Sequence, residues 1–265
     1  MRRPRSAVKR NVLASPPVNG LVVATRYLTI VPLGRGVHTG HGAALGAAAA
    51  WFPVVGLALG AVLVLTSAVT ARLFPSLLAA LVTVTVWKLL TGGLHLDGLA
   101  DCLDGLAGRD PGHRLQIMSD SRIGAFGAMG LILFLMLEIG AVAEMPSGVR
   151  WPTLLVAPAI ARATPPLLAR CFPAARAAGE GAAFRDGVRS GVAALALALA
   201  AAAAGLALGV AGLVAFLVAA LAALAVARFL AVRLGGITGD VLGAAVEMSE
   251  LATLLTVAAW AHAAR

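Results

Sequence analysis

The sequence carries too little charge for a protein surrounded by water. Only 12% of its 265 residues are Asp, Glu, Lys or Arg, whereas 60% are hydrophobic and the mean hydropathy is +0.93. Soluble domains devote about a quarter of their residues to these four types. This deficit excludes an ordinary water-soluble domain, and we expect the lipid bilayer to cover most of the surface.

Cysteine and aromatic residues are also scarce. Neither of the two cysteines, Cys102 and Cys171, belongs to a CxxC pair, so we expect neither a disulfide framework nor a thiolate metal site. Aromatic residues make up 5% of the chain, and the net charge is +9. No basic stripe interleaved with stacking aromatic residues accompanies that charge, as nucleic-acid binding would require. We therefore predict no nucleic-acid partner.

Long apolar runs dominate what is present. A helix needs about 20 mainly apolar residues to cross the hydrocarbon, and only helices or closed barrels satisfy the backbone there. Alternating strand patterns are absent. We predict an all-α, polytopic integral membrane helical bundle of about six or seven transmembrane helices. Their approximate positions are 43–72, 76–95, 124–145, 151–172, 191–209, 211–233 and 241–263.

The whole chain, 1–265, is interpreted as a single membrane-embedded domain with a basic cytoplasmic arm at 1–19. The arm lacks the apolar core of a signal peptide. Within the Ala/Leu-rich run 191–233, a turn between two helices would have to use three glycines, and one bent helix is the alternative. These glycines are Gly205, Gly209 and Gly212.

Basic residues predict the orientation, because Lys and Arg in short loops stay on the cytoplasmic side. With the amino terminus inside and seven crossings, most of them fall on that side, and only Arg72, Arg150 and Arg265 fall outside. Three polar segments are then expected to share the cytoplasmic face. These segments are 95–123, 173–190 and 234–240.

Acidic residues concentrate in one segment, since five of the twelve lie between residues 97 and 120. Spacings of four and three place Asp97, Asp101 and Asp104 on one face of a helix. Such a cluster is costly without a cation, and its hard oxygen ligands suit Mg²⁺, with Mn²⁺ as an alternative. A solvated loop with capping aspartates is the simpler interpretation.

The next segment, MSDSRIGAFG, places Asp120 and Arg122 directly before an apolar helix. Asp120 can cap that helix, and the Arg122 guanidinium offers a fork of donors to an anionic oxygen. A helix cap alone would account for Asp120. Nearness to the aspartate cluster favours a shared phosphate site.

The last predicted helix, beginning GGITGDVLGAAVEMSE, places Asp240, Glu247 and Glu250 on one face. Carboxylates inside a membrane are expensive and are candidate functional groups. The two glutamates could instead pair with Lys88 or Arg162 inside the bundle. Glu138, alone in its helix, is expected to be a buried pairing residue outside the site.

The segment TGGLHLDGLADCLDGL, residues 91–106, resembles the cobalamin synthase family of membrane-bound adenosylcobinamide-GDP ribazoletransferases. Further motifs of the chain match in the family's order. They are WFPVVGLALG at 51–60, SDSRIGAFG at 119–127, ARAAGEGAAF at 175–184 and GGITGDVLGAAVEMSE at 235–250. The resemblance therefore extends over nearly the whole chain.

The resemblance implies a late step of cobalamin biosynthesis. The family transfers the cobinamide phosphate of adenosylcobinamide-GDP to alpha-ribazole or its 5′-phosphate, giving adenosylcobalamin or its 5′-phosphate and GMP, with a divalent cation. It also implies a bacterial cytoplasmic (inner) membrane location with the active site facing the cytoplasm. The large corrinoid implies an open cleft, which a second subunit of a homo-oligomer could help to build.

The resemblance assigns roles to particular residues. The implied Mg²⁺ ligands are Asp97, Asp101 and Asp104. Asp120 is expected to be a further ligand or the general base, and Arg122 is expected to steady the diphosphate. The implied substrate contacts are Gly92, Gly93, His95, Arg176, Asp240 and Glu247.

Two other functions compete with this interpretation. DCLDGLAGR partly resembles the DxxDGxxAR opening of CDP-alcohol phosphotransferases, but Gly108 replaces its alanine and no GxxxDxxxD follows. A transporter or structural subunit would explain Glu247 and Glu250. It would leave the aspartate cluster unexplained, and no inverted repeat is visible.

Overall fold

The computed structural model describes residues 17–33 and 42–264, and within them the chain forms helices and no strand. The first five helices are α1 (Pro17–Leu28), α2 (Ala43–Ala48), α3 (Phe52–Leu73), α4 (Ser76–Leu90) and α5 (Leu94–Gly105). The next four are α6 (Pro111–Ile117), α7 (Ala125–Glu144), α8 (Ser147–Arg162) and α9 (Thr164–Cys171). The last three are α10 (Glu180–Gly187), α11 (Ser190–Leu234) and α12 (Gly239–Ala263). The all-α prediction is confirmed.

Four helical stretches of the described chain are long and apolar enough to cross a membrane. They are Ala43–Leu73, which includes a short 3-10 turn, Ala125–Glu144, Ser190–Leu234 and Gly239–Ala263. Helices α4 and α5 together qualify as a fifth stretch, bent by 90°. The chain is therefore a multi-pass membrane protein, although the predicted number of six or seven spans is not confirmed.

Two regions explain the difference in number, because the predicted spans 191–209 and 211–233 both fall within α11 and the predicted span 151–172 is not one helix. The predicted span 151–172 is divided between α8 and α9, because Pro165 and Pro166 occupy the first turn of α9 and cannot continue the preceding helix.

The predicted basic arm at 1–19 lies mostly outside the described residues, and α1 already begins at Pro17. Because residues 1–16 lie outside the described residues, the arm stays a prediction.

Helix α11 contains a turn among its glycines, the first of the two alternatives that the sequence left open. Its 45 residues would extend about 68 Å as one straight helix, more than twice the hydrocarbon thickness. At Gly209 the backbone turns to φ 60° and ψ −135°, outside the helical region. A methyl group at Gly212 would collide with the Ala204 carbonyl oxygen, so the chain folds back there.

A second glycine turn positions the acidic helix. Gly92 and Gly93, at φ 62° and 70°, lie between α4 and α5 and produce the 90° bend. Helix α5 then lies across the start of α12, where a methyl group at Gly98 would be 2.8 Å from the carbonyl oxygen of Asp240. This close crossing brings the acidic residues of the two helices together.

Helix α12 is the central element of the bundle. Two-thirds (67%) of an apolar 18-residue stretch of this helix is buried, compared with 28% of such a stretch in α7 and in α11. Its buried face packs against α5, α7, α8, α9 and α11. Residues near its start therefore lie close to several other elements.

Candidate functional site

Two neighbouring cavities open beside α5. The less open of the two, which we call the enclosed cavity, has a volume of about 360 Å³ and lies between α1, α2, α5, α10 and the start of α12. The open cavity, of about 890 Å³, lies beside the α4–α5 turn, α5 and the segment 118–123. Tyr27, Leu94 and Asp97 line both cavities, so the two spaces meet at the first aspartate of the cluster.

Most of the predicted site residues line these two cavities. The open cavity is lined by Gly92, Gly93, Asp97, Asp101, Asp120 and Arg122. The enclosed cavity is lined by His95, Asp97 and Asp240. Asp104, Arg176 and Glu247 are not among the lining residues of either cavity. The two acidic segments that the sequence places apart thus border one continuous region.

Asp104 holds the start of α7 against α5. Its Oδ2 accepts a hydrogen bond from the Gly124 backbone N–H at 2.7 Å, and its Oδ1 accepts one from Gly127 at 2.8 Å. A helix start leaves its first N–H groups without partners and favours a nearby negative charge. Asp104 therefore has a structural role, and its part in metal binding stays a prediction.

Asp97, Asp101 and Asp240 form a group of neighbouring acidic side chains. Asp97, Asp104 and Asp240 all repel the Asp101 carboxylate. None of the ion pairs that Lys88, Arg122, Arg162 and Arg185 form in the described chain includes Asp97, Asp101 or Asp240, and Arg176 attracts Asp240 from farther away. Neighbouring negative charge of this kind favours a bound cation.

Asp120 and Arg122 form an exposed, two-pronged ion pair. The Arg122 guanidinium donates to Asp120 Oδ1 at 3.0 Å and to Oδ2 at 2.6 Å, and its backbone N–H also donates to Oδ1. These hydrogen bonds lower the pKa of Asp120 to about 2. Because the carboxylate holds its charge so strongly, it is a weak proton acceptor.

Arg176 is fixed beside the open cavity by the chain around it. The backbone of Ala175 pairs with that of Ile237, just before α12. The Arg176 guanidinium donates to Ser119 Oγ at 3.0 Å and to the Leu115 carbonyl oxygen at 3.2 Å. Ser119 lines the open cavity, so Arg176 adds a positive charge at its edge.

A buried ion cluster lies behind the cavities. Lys88 Nζ lies 2.6 Å from Glu247, 2.9 Å from Glu250 and 3.0 Å from Glu138, and Arg162 also pairs with Glu250. The pairing alternative for Glu247 and Glu250 is therefore confirmed, as is the pairing role of Glu138. Substrate binding by Glu247, which is 1% exposed, stays a prediction.

The three glutamates of this cluster also come close to one another. Among the described residues, they are the only set of three or more potential metal ligands with one ligand atom from each residue all within 4.8 Å of one another. Lys88 Nζ donates to all three carboxylates and Arg162 pairs with Glu250, so protein cations already occupy this space. We therefore interpret the cluster as an internal ion network.

Sequence reasoning did not single out the aromatic residues of the enclosed cavity. Tyr27, Phe52 and Phe184 come from three separate helices, and all three line the cavity. The rings of Tyr27 and Phe52 lie 6.3 Å apart, and those of Phe52 and Phe184 lie 6.1 Å apart, each pair nearly parallel. The three residues lie far apart in the sequence, so no local pattern indicates the group.

Comparison with known proteins identifies relatives along the whole described bundle. Residues 20–258 match the model of the family described as cobalamin-5-phosphate synthase. A protein of Geotalea daltonii named adenosylcobinamide-GDP ribazoletransferase is 37% identical over 89% of this chain and 96% of its own length. A Pseudomonas paraeruginosa protein of the same name is 38% identical over 91% and 98%, respectively. No solved structure gives a significant match. With a family match from residue 20 to residue 258 and relatives aligned over nearly their full lengths, the chain belongs to the cobalamin-5-phosphate synthase family.

Proposed function

We propose that this chain is an adenosylcobinamide-GDP ribazoletransferase acting in the final part of cobalamin synthesis. Its reaction joins alpha-ribazole, or alpha-ribazole 5′-phosphate, to the cobinamide phosphate of adenosylcobinamide-GDP. The observation that carries the proposal is the position of Asp97 at the junction of two cavities, beside Asp101 and the Gly92–Gly93 turn. A transferase with two large substrates needs such a meeting point.

The proposed step is a single displacement at phosphorus. A ribazole hydroxyl oxygen forms a bond to the phosphorus attached to cobinamide, and the bond from that phosphorus to the bridging oxygen breaks. GMP leaves with the bridging oxygen, and the hydroxyl proton passes to a base at the junction. Catalysis of phosphoryl transfer rests mainly on positioning and on offsetting charge.

The oxygen donors of the acidic group at the junction suit a divalent cation in their chemistry, Mg²⁺ or Mn²⁺. Asp97 and Asp101 provide hard oxygen ligands, and neither joins the ion pairs of Lys88, Arg122, Arg162 and Arg185 in the described chain. Asp240, on the facing helix, is positioned to help them, whereas both Asp104 oxygens are bonded to α7. When bound, the ion would offset charge on the phosphate oxygens and on the leaving GMP.

The open cavity provides groups for the diphosphate. The Gly92–Gly93 turn leaves room for close approach of a phosphate, and Arg122 presents its guanidinium at the wall. Asp120 orients Arg122 through the two-pronged pair. Because its pKa is about 2, we assign Asp120 this positioning role or a ligand role in preference to that of general base.

The Asp120→Asn variant tests this assignment. We expect its KM for adenosylcobinamide-GDP to rise by less than about tenfold with little change in kcat, because exposed ion pairs contribute weakly. Loss of a general base would instead lower kcat by roughly a hundredfold or more. Asp120 stays ionised above about pH 3, so any acidic limb of the wild-type pH–rate profile at higher pH should persist in the variant. Loss of that limb would contradict the assignment.

The activity itself is tested with purified membranes that contain the protein. They are supplied with adenosylcobinamide-GDP, alpha-ribazole and Mg²⁺, and we expect cobalamin and GMP to form in equal amounts. A CDP-alcohol with a lipid acceptor serves as the control substrate pair. Product from the control pair alone would contradict the proposal.

We also propose that the cavities face the cytoplasm from the bacterial inner membrane, because basic residues are concentrated on that side of the predicted topology. Gln116 and Ser147, both exposed, lie near opposite ends of α7. In a background without Cys102 and Cys171, we expect a membrane-impermeant thiol reagent to label Ser147→Cys in intact spheroplasts. Gln116→Cys should be labelled only in inverted vesicles. Labelling of both from the same side would contradict the orientation.

A further inference from the structure

The walls of the enclosed cavity suit a flat aromatic ligand. Tyr27, Phe52 and Phe184 form a ladder of nearly parallel rings, with interplanar angles of 14° and 12°. Leu45 and Val246 add aliphatic surface to the lining. Aromatic ring systems bind well against ring faces and aliphatic walls, because both bury apolar area without displacing strongly held water.

A few polar groups point to a ligand with hydrogen-bonding atoms as well. His95 lines this cavity and is 5% exposed, and its Nδ1 is buried without a hydrogen-bond partner in the described structure. A buried polar atom without a partner is costly and rare in native proteins. A hydroxyl or ring nitrogen of a bound molecule would supply the missing bond.

The volumes of the two cavities suit two different substrates. About 360 Å³ lies within the range of sites for small organic molecules, roughly 300–1,000 Å³. A corrin macrocycle with its side chains and nucleotide is too broad for such an enclosed space, so it requires the open cavity of about 890 Å³ and the surface beyond it.

We infer that the enclosed cavity is the binding site for the nucleoside acceptor. Its flat bicyclic base lies against the exposed ring of Tyr27, which stacks on the buried rings of Phe52 and Phe184, and its ribose points toward Asp97. The diphosphate substrate then approaches from the open cavity, and the two reacting groups meet where both cavities share Asp97. This inference rests on the proposed function and adds to it the place of each substrate.

Gly239 allows the cavity to be narrowed with little effect on the fold. It lines the enclosed cavity and not the open one, and no atom lies within 4 Å of the position that its Cβ would take. Gly191, at the start of α11, has the same free space and lines neither cavity. Gly239→Leu is therefore the test variant, and Gly191→Leu is its matched control.

We expect Gly239→Leu to raise the KM for alpha-ribazole by about tenfold or more, because a side chain in a closed site excludes part of the ligand. The KM for adenosylcobinamide-GDP should change less than about twofold, and Gly191→Leu should match the wild type in both. An unchanged KM for alpha-ribazole in the folded test variant, or a rise for adenosylcobinamide-GDP instead, would overturn the inference.

Equilibrium dialysis with alpha-ribazole distinguishes this inference from the proposed function. Wild-type protein that binds alpha-ribazole, loses the binding in Gly239→Leu and makes no cobalamin would contradict the proposed function alone. Wild-type protein that makes cobalamin but binds alpha-ribazole equally well in both forms would contradict the inference alone.

Discussion

The Asp101→Asn variant is expected to lose at least about a hundredfold in the rate of cobalamin formation while remaining folded in the membrane. The substitution keeps the size of the side chain and removes a charge from the acidic group at the junction of the cavities. Since Asp101 is half-buried and carries no ion pair in the described structure, its charge serves no visible structural purpose. The rate of GMP release, measured at limiting and at saturating Mg²⁺, checks this expectation.

Asp104→Asn provides the matched comparison. An amide offers only one oxygen to the two backbone N–H groups that the Asp104 carboxylate accepts, so this variant should lose about 1–2 kcal/mol of stability. Asp101→Asn should unfold at the same temperature as the wild type in detergent. Partial rescue of Asp101→Asn by raised Mg²⁺ would indicate weakened coordination. Full activity of Asp101→Asn at limiting Mg²⁺ would remove Asp101 from the metal site.

The Lys88→Met variant is expected to lose more stability than Asp104→Asn. Removing the ammonium group leaves Glu138, Glu247 and Glu250 buried together with only Arg162 to offset them. Breaking a buried ion pair in this way costs about 3–5 kcal/mol. Thermal unfolding in detergent should therefore begin at a clearly lower temperature than in the wild type.

Arg72→Met is the control for this substitution, because Arg72 is an exposed cation at the end of α3 and such surface changes usually stay within about 0.5 kcal/mol. Equal melting of Lys88→Met and the wild type would mean that the three carboxyl groups hold together without the lysine. The ion network would then have no stabilising role.

Composition and periodicity predict the class of fold because they indicate whether water or lipid surrounds the chain. Low charge and long apolar runs are enough to expect membrane helices, and the turn at Gly209 lies in the glycine-rich segment where either a turn or one bent helix was possible. The break at Pro165 and Pro166 was not expected, because the surrounding hydropathy is continuous. Hydropathy indicates where lipid is tolerated and does not report where a helix must end.

The aspartate cluster illustrates the limit of helical spacing as a guide to a site. Spacings of four and three place Asp97, Asp101 and Asp104 on one face of α5, but Asp104 is bonded to the first turn of α7. Asp240, from a distant part of the chain, comes close enough to repel Asp101. Both outcomes depend on which helices pack against α5, and spacing within one segment carries no information about that.

The bend at Gly92 and Gly93 has a consequence for the depth of the site. Helix α4 has 15 residues and rises about 22 Å from its start at Ser76, against about 30 Å of hydrocarbon in a typical bilayer. The chain therefore turns sideways after a rise shorter than the hydrocarbon thickness, and we expect the acidic residues of α5 to lie in a local depression of the membrane surface. We expect lipids around them to thin or tilt to follow the protein. We therefore expect the length of the lipid acyl chains to influence the site, as its charges do.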